Sequence, residues 1–338
     1  MNFIKNIIQE LSLAPNPPKI IFPEGEEERI QKALEEILKN NICQPVLIGS
    51  KEKILNNLEK ILPPEFLSKV EIIELEKSEK IETYAQLFSQ SEKISPEIAK
   101  KIITNPLFFS ALALKNNDVE GMIAGAVYTS GDVIAVSKKI IGLKEGFNIP
   151  SSFFVMIKEN SPFGENGALI FADASVNINP TEEELAEIAV LTGNTAKELF
   201  GWEPRVVLLS FSTKGSAQHP LVEKVKKATE LAIKKDPSLK IDGELQADAA
   251  LREEVARKKL KEPSPVAGKA NVLIFPDLNS ANISYKLTNI LGEYQALGPI
   301  LQGFQKPISD LSRGVKPEEI VNIVAILSFW IKKLKGNL

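Results

Sequence analysis

The chain predicts an α/β fold on three observations: short apolar or β-branched runs recur along it, longer amphipathic segments stand between them, and capping or turn residues mark many of the borders. That rhythm predicts βαβ units and a largely parallel sheet covered by helices on both faces. The first segment, Met1 to Leu13, carries Phe3, Ile4, Ile7, Ile8 and Leu11 at helical spacing, unlike the continuous apolar core of a signal peptide, and is expected to dock on the first domain. Lys19 to Phe22 then reads as a strand, about Glu26 to Asn40 as a helix, Pro45 to Ile48 as a strand and the region of Lys51 to Ile61 as a helix. Further strands are expected at Phe153 to Ile157, Ala168 to Phe171, Val206 to Leu209 and Val272 to Phe275. Helices at about Thr181 to Phe200 and Pro220 to Lys235 separate some of them. The former opens on Asn179-Pro180-Thr181 and three glutamates, a proline, a threonine cap and acids facing the positive end of the helix dipole. Pro317 to Ile331 is the last expected helix.

Composition narrows the function classes. At 338 residues there is room for one large or two ordinary domains, with 25% charged and 43% hydrophobic residues as in a soluble globular enzyme. A net charge of −3 argues against a nucleic-acid binder that relies on a broad basic field, so any polyanionic ligand has to be met by a local pocket. One cysteine excludes an internal disulfide, and one histidine excludes the usual His/Cys metal clusters. Cys43 leads into the apolar run Pro45 to Gly49, where a small core residue is the plainer role than a nucleophile. His219 follows a glycine-serine turn and suits a local hydrogen bond better than proton transfer. No run approaches the length of a membrane span, which makes a cytoplasmic location the simplest expectation, with neither membrane nor nucleic acid as partner.

The most informative string is Pro307-Ile308-Ser309-Asp310-Leu311-Ser312-Arg313-Gly314 ahead of the last helix. It sets a hydroxyl, a guanidinium and a glycine at a helix entrance, with Glu318 and Glu319 in the first turn. Free backbone N–H groups and the helix dipole favour an anion there, and Arg313 can grip the same anion with two donors. A capping Ser312 with a paired Arg313 would produce the same local string. A second candidate, Ser210-Phe211-Ser212-Thr213-Lys214-Gly215-Ser216, lies between a strand and a helix, where backbone donors and hydroxyls suit an anion. Gly268-Lys269 lacks the rest of a nucleotide-binding GxxxxGK[ST] pattern.

From about residue 19 to 331 the chain resembles the phosphate acetyltransferase family. The resemblance rests on the Ser312-Arg313-Gly314 string and on many ordered matches. Among them are Phe22-Pro23-Glu24-Gly25-Glu26 with Glu28-Arg29, Ile123 to Val127, Phe171-Ala172-Asp173 and Val176-Asn177. Others are Leu209 to Ala217, His219-Pro220, Asp242 to Gln246, Val266 to Asn271 and Gly298 to Gly303. It implies two α/β domains like those of isocitrate and isopropylmalate dehydrogenases, with the active-site cleft between them and the C-terminal segment returning to the first. By that analogy residues 1–148 and 296–338 form the first domain and residues 149–295 the second.

The implied reaction transfers an acetyl group between coenzyme A and inorganic phosphate, giving acetyl phosphate and free coenzyme A. Coenzyme A is then a substrate and no tightly bound cofactor is implied; a homodimer is. In the acetyl-CoA-forming direction a thiol attacks a carbonyl whose leaving group is phosphate. A thiol titrates at about 8.5 or somewhat higher, so a carboxylate beside it helps by taking the proton as the bond forms. The resemblance implies Glu319 as that base, where the family has an aspartate, Ser312 as the group that orients the reacting centre, and Arg313 as the holder of phosphate or carbonyl. Gly314, Thr129 and Ser130 join them as substrate contacts, with Ser212, Thr213, Lys214, Gly215 and Ser216 as further phosphate candidates. Departures accompany the matches. Ala135 stands where the family has an arginine, Tyr128 where a histidine is common, Ala174 where a cysteine follows Phe-Ala-Asp, and no arginine lies near Leu87-Phe88-Ser89, where a second family arginine falls. Altered acyl specificity, or a coenzyme A or anion-binding protein without catalysis, therefore stand as alternatives to the working enzyme.

Overall fold

The computed structural model describes residues 3–338, so Met1 and Asn2 of the expected first helix lie outside the described residues. The strands are β1 (Lys19–Phe22), β2 (Gln44–Ile48), β3 (Glu71–Ile73), β4 (Gly121–Ala124), β5 (Ser151–Ile157), β6 (Ala168–Ala172), β7 (Arg205–Leu209), β8 (Lys240–Leu245), β9 (Val272–Ile274), β10 (Gln295–Gln302) and β11 (Ile308–Asp310). Two compact units contain them: Ile4–Gly142 with Phe304–Leu338, and Leu143–Gly303.

In the unit formed by Ile4–Gly142 and Phe304–Leu338 the strands run β3-β2-β1-β4-β11, each pair parallel. Parallel strands need crossovers, and helices such as Glu28–Lys39 and Ser130–Ile140 follow their strands as the alternating pattern demands. Ile20, Ile21 and Phe22 are fully buried, as expected of a strand covered on both faces. The last helix, Pro317–Leu334, runs one turn beyond the expected end because Leu327, Phe329, Trp330 and Ile331 are buried along its second half. Near its end Lys332, a residue only 3% exposed, donates through its amine to the carbonyls of Pro15 and Asn16 and so holds the chain just after the N-terminal helix Phe3–Leu13. That helix buries Ile4, Ile7 and Leu11. Cys43 is fully inside, and burial pushes its thiol far above the ordinary thiol range.

In the unit Leu143–Gly303 the order is β10-β5-β6-β9-β7-β8. Here β6, β9, β7 and β8 pair in parallel, while β5 is antiparallel to both β6 and β10. The connection from β5 to β6, residues 158–167, holds no crossover helix, so the chain returns antiparallel. Phe154, Met156, Leu169, Phe171, Val207 and Leu273 form part of its core. Helix Glu182–Phe200 starts at a reciprocal cap between Thr181 and Glu184, as its sequence predicts. His219 caps helix Pro220–Lys235, its Nδ1 accepting from the Leu221 N–H at 3.2 Å. That is the local bond expected of it.

Candidate active site

Parallel pairing of β11 with β4 brings Asp310 beside Ala124, and the Leu311 N–H closes the pair on the Ala124 carbonyl at 2.7 Å. The two segments that leave these strands, 125–130 and 311–316, are therefore neighbours, although far apart in sequence. Glu24, just past β1, fixes the first of them. Its carboxylate accepts from four successive backbone amides, those of Gly125 and Ala126 at 3.0 Å, Val127 at 2.7 Å and Tyr128 at 2.6 Å. A charge with this many donors is well satisfied despite being only 8% exposed. Gly125 has φ +110°, and a Cβ there would lie 2.2 Å from Asp310 Oδ1, so only glycine fits.

Thr129 caps helix Ser130–Ile140: its hydroxyl accepts from the Asp132 N–H at 3.1 Å, and its own N–H donates to the Asp132 carboxylate at 3.3 Å. Ser130 donates through its hydroxyl to Asp310 Oδ2. Asp310 is 1% exposed, and its other oxygen has no hydrogen-bond partner among the described residues. Burial pushes its carboxyl up to about 6; the Ser130 hydroxyl opposes that rise and the charge of Glu24 adds to it. Tyr128 is shifted upward as well, by burial first and by Glu24 second.

Beyond Leu311 the chain turns through Ser312, Arg313 and Gly314, all exposed. The Ser312 hydroxyl accepts from the Gly314 N–H at 3.2 Å, and the Ser312 carbonyl from the Val315 N–H at 2.9 Å. Ser312 thus shapes the turn, while Lys316 is the residue that caps the helix. Arg313 forms no ion pair among the described residues, so its guanidinium stands open to solvent near the start of an 18-residue helix. Glu319 accepts from the Lys316 N–H through Oε2 at 2.8 Å and is exposed; its Oε1 has no partner among the described residues. An open guanidinium, a hydroxyl, a helix N-terminus and a half-engaged carboxylate can hold an oxyanion and receive a proton.

The loop expected to help bind phosphate is in the other unit, and its donors serve an internal carboxylate. Glu244 accepts from the Ser212 hydroxyl at 2.9 Å and the Gly215 N–H at 2.7 Å. The Thr213 N–H donates to the Ser216 hydroxyl at 3.0 Å, and the Lys214 amine to Asp242 and to the Gly243 carbonyl. Strand-to-helix geometry made the loop legible as an anion site; the anion that Ser212 and Gly215 meet comes from β8.

Among the positions that depart from the family, Ala135 is exposed on helix Ser130–Ile140. Lys139, a turn further on, pairs with Glu92 at 2.7 Å and stands 5.8 Å over the Phe88 ring, whereas Lys138 is exposed with no partner among the described residues. A cavity of about 390 Å³ is lined there by Phe88, Glu92, Lys101, Asn105, Phe108 and Lys139. Ala174, in place of the cysteine, is buried. Glu24 and Arg29 were visible in sequence only as part of a matching string; an acid directly after a buried strand is the signal that marks Glu24. Among the described residues no group of three or more His, Cys, Asp or Glu side chains could hold a metal ion. No helix of the described residues is long and apolar enough to cross a membrane.

The family model described as phosphate acetyl/butaryl transferase matches residues 2–328. A protein named phosphate acetyltransferase from Thermoanaerobacterium thermosaccharolyticum is 47% identical over 329 residues, which span 96% of this chain and 98% of that one. One of the same name from Clostridium acetobutylicum is 48% identical over 312 residues, spanning 91% and 92%. The crystal structure of a phosphotransacetylase from Streptococcus pyogenes superposes with a TM-score of 0.89 at 36% identity, covering 99% of this chain and all of that one.

Proposed function

The chain belongs to the phosphate acetyl/butaryl transferase family, and on that premise we propose that it transfers an acetyl group between coenzyme A and inorganic phosphate at Ser312, Arg313 and Glu319. It is an acyltransferase, with coenzyme A as substrate. In the acetyl-CoA-forming direction the coenzyme A sulfur bonds to the acetyl carbonyl carbon, the thiol proton passes to Glu319, and the C–O bond to phosphate breaks with its electron pair leaving on phosphate. Arg313 holds the phosphoryl oxygens and, with the Ser312 hydroxyl, stabilises the tetrahedral oxyanion. Glu319 keeps its N-cap bond through Oε2 and takes the proton on Oε1. Thr129, Ser130 and Gly314 line the same region of the unit. The observation that carries the proposal is the exposed Arg313 guanidinium, without an ion pair among the described residues, beside Ser312 in the turn that leads into the helix.

Loss of arginine at Ala135 and near Phe88 removes cationic contacts that the family resemblance implies for phosphate or coenzyme A. Among the described residues Lys138 is the cation without a partner nearest in sequence to Ala135, and it is proposed to supply charge there, though without the two-pronged grip of an arginine. Binding by the Ser212 to Ser216 loop requires the substrate to share donors with Glu244. The protein is proposed to act in the cytoplasm, where coenzyme A and phosphate are held. It is also proposed to work as a homodimer, supported by the exposed stripe Ile283, Leu287, Ile290 and Leu291 along helix Leu278–Ile290 and its end.

One assay tests the reaction: thiol release from acetyl, propionyl and butyryl coenzyme A, with and without phosphate. Phosphate-dependent release, fastest with acetyl, is expected, and its absence with all three leaves a binding protein. Arg313→Ala should abolish nearly all turnover in a folded protein, Ser312→Ala should slow it less, and Glu319→Gln should depress turnover more than coenzyme A binding. Near-normal turnover in Arg313→Ala would end the site assignment.

A further inference from the structure

The exposed turn 312–314 is tied within itself by the bonds that Ser312 accepts, which shape it but do not anchor it. Among the described residues, the side chain that links it to the rest of the unit is Arg29, in the first turn of helix Glu28–Lys39. One guanidinium nitrogen, Nη1, donates to the Arg313 carbonyl at 2.6 Å and the Val315 carbonyl at 3.4 Å; the other, Nη2, donates to the Ala126 carbonyl at 3.0 Å. Nε donates to Glu27 at 2.7 Å, which fixes the plane of the fork. All three nitrogens are thus engaged, so Arg29 has little left to offer a substrate. Ala126 lies within the stretch that Glu24 holds, so the fork ties the exposed turn to an already fixed segment.

We propose that Arg29 is a positioning residue for acyl transfer: by joining the carbonyls of Arg313 and Val315 to that of Ala126, it sets where the Ser312 hydroxyl and Arg313 guanidinium stand relative to Ser130. The inference rests on the reading of Ser312 and Arg313 given above. Guanidinium is the fitting group, because a rigid planar fork can serve acceptors on two separate segments at once, whereas an ammonium is a single flexible point. Positioning of this kind governs turnover, since a displacement of about 1 Å at a reacting group can cost on the order of a hundredfold in rate.

The experiment is steady-state kinetics on Arg29→Ala and Arg29→Lys beside the parent and Arg313→Ala, with thermal unfolding measured on each. Arg29→Ala should lower kcat by about ten- to a hundredfold while KM for coenzyme A and phosphate stays within about threefold. Guanidinium chloride at low millimolar concentration should restore part of the lost kcat, and sodium chloride at equal ionic strength should not. Arg29→Lys should fold and be slow, and it carries the test if the alanine variant fails to fold. Parental kcat in both folded variants, or a raised KM with unchanged kcat, overturns the positioning role. If those results coincide with an inactive Arg313→Ala, the site assignment survives and this inference alone falls; a normally active Arg313→Ala removes the premise itself.

Discussion

Asp310 shows how much one buried side chain can decide. Burial holds its carboxyl near 6 in the folded protein, against 3.8 for an ordinary aspartate. The folded state therefore keeps the proton more tightly than the unfolded chain, so this group favours folding while protonated and that contribution is lost as pH rises from about 4 through 6. Asp310→Asn keeps an acceptor for Ser130 and never ionises. Relative to the parent, the variant should gain roughly 1–3 kcal/mol in stability between about pH 4 and pH 7, whatever its stability at either end. Urea unfolding at both pH values measures the difference, and a constant offset would show that Asp310 ionises freely in the native state. Ser312, Arg313 and the acids Glu318 and Glu319 were legible in the sequence as a local pattern at a helix entrance, whereas the role proposed for Glu319 came from the family resemblance. Asp310 was visible there only as part of the same string. Its contact with Ser130 depends on β11 lying beside β4, and no local pattern records that neighbour.

At the scale of elements, strands and helices were legible from periodicity and caps, since Thr181, Asn179-Pro180 and the apolar runs each act within a few residues. Direction was not. The runs Phe153 to Ile157 and Ala168 to Phe171 have the same apolar character whether paired parallel or antiparallel, and only the helix-free return between them makes β5 antiparallel to β6. The anion loop after β7 was legible as a turn, but its partner Glu244 belongs to β8 and was not. The segment after β4 shows the same dependence on a distant charge, because its four amides converge on Glu24. Glu24→Gln replaces an acceptor-only carboxylate by an amide whose NH₂ faces donors. Loss of the charge-assisted bonds should destabilise the protein by about 1.5–3 kcal/mol, read from urea unfolding at neutral pH. Unchanged stability would mean that water satisfies those amides as well as Glu24 does.

For the whole molecule, the resemblance of the sequence carried the family and the fold class, because matches spread along the chain constrain the architecture together. Assembly is a different matter, since an exposed apolar face says that something is uncovered and the family resemblance supplies the second copy. Leu287→Glu places a charge within the stripe and is expected to shift the protein from dimer to monomer in light scattering after size exclusion; a parent that is monomeric at the same concentration overturns the proposed dimer. The amine of Lys332 has a consequence for reagents. Burial lowers its pKa, which by itself favours the reactive free amine, but the nitrogen is shielded from reagent and held by two carbonyls, so reductive methylation of the native protein should modify the exposed lysines and pass over this one. A methyl adduct on Lys332, found by peptide mass spectrometry, would then report each occasion on which residues 15 and 16 lift away from the last helix, making a single amine the recorder of an opening that leaves the fold otherwise intact.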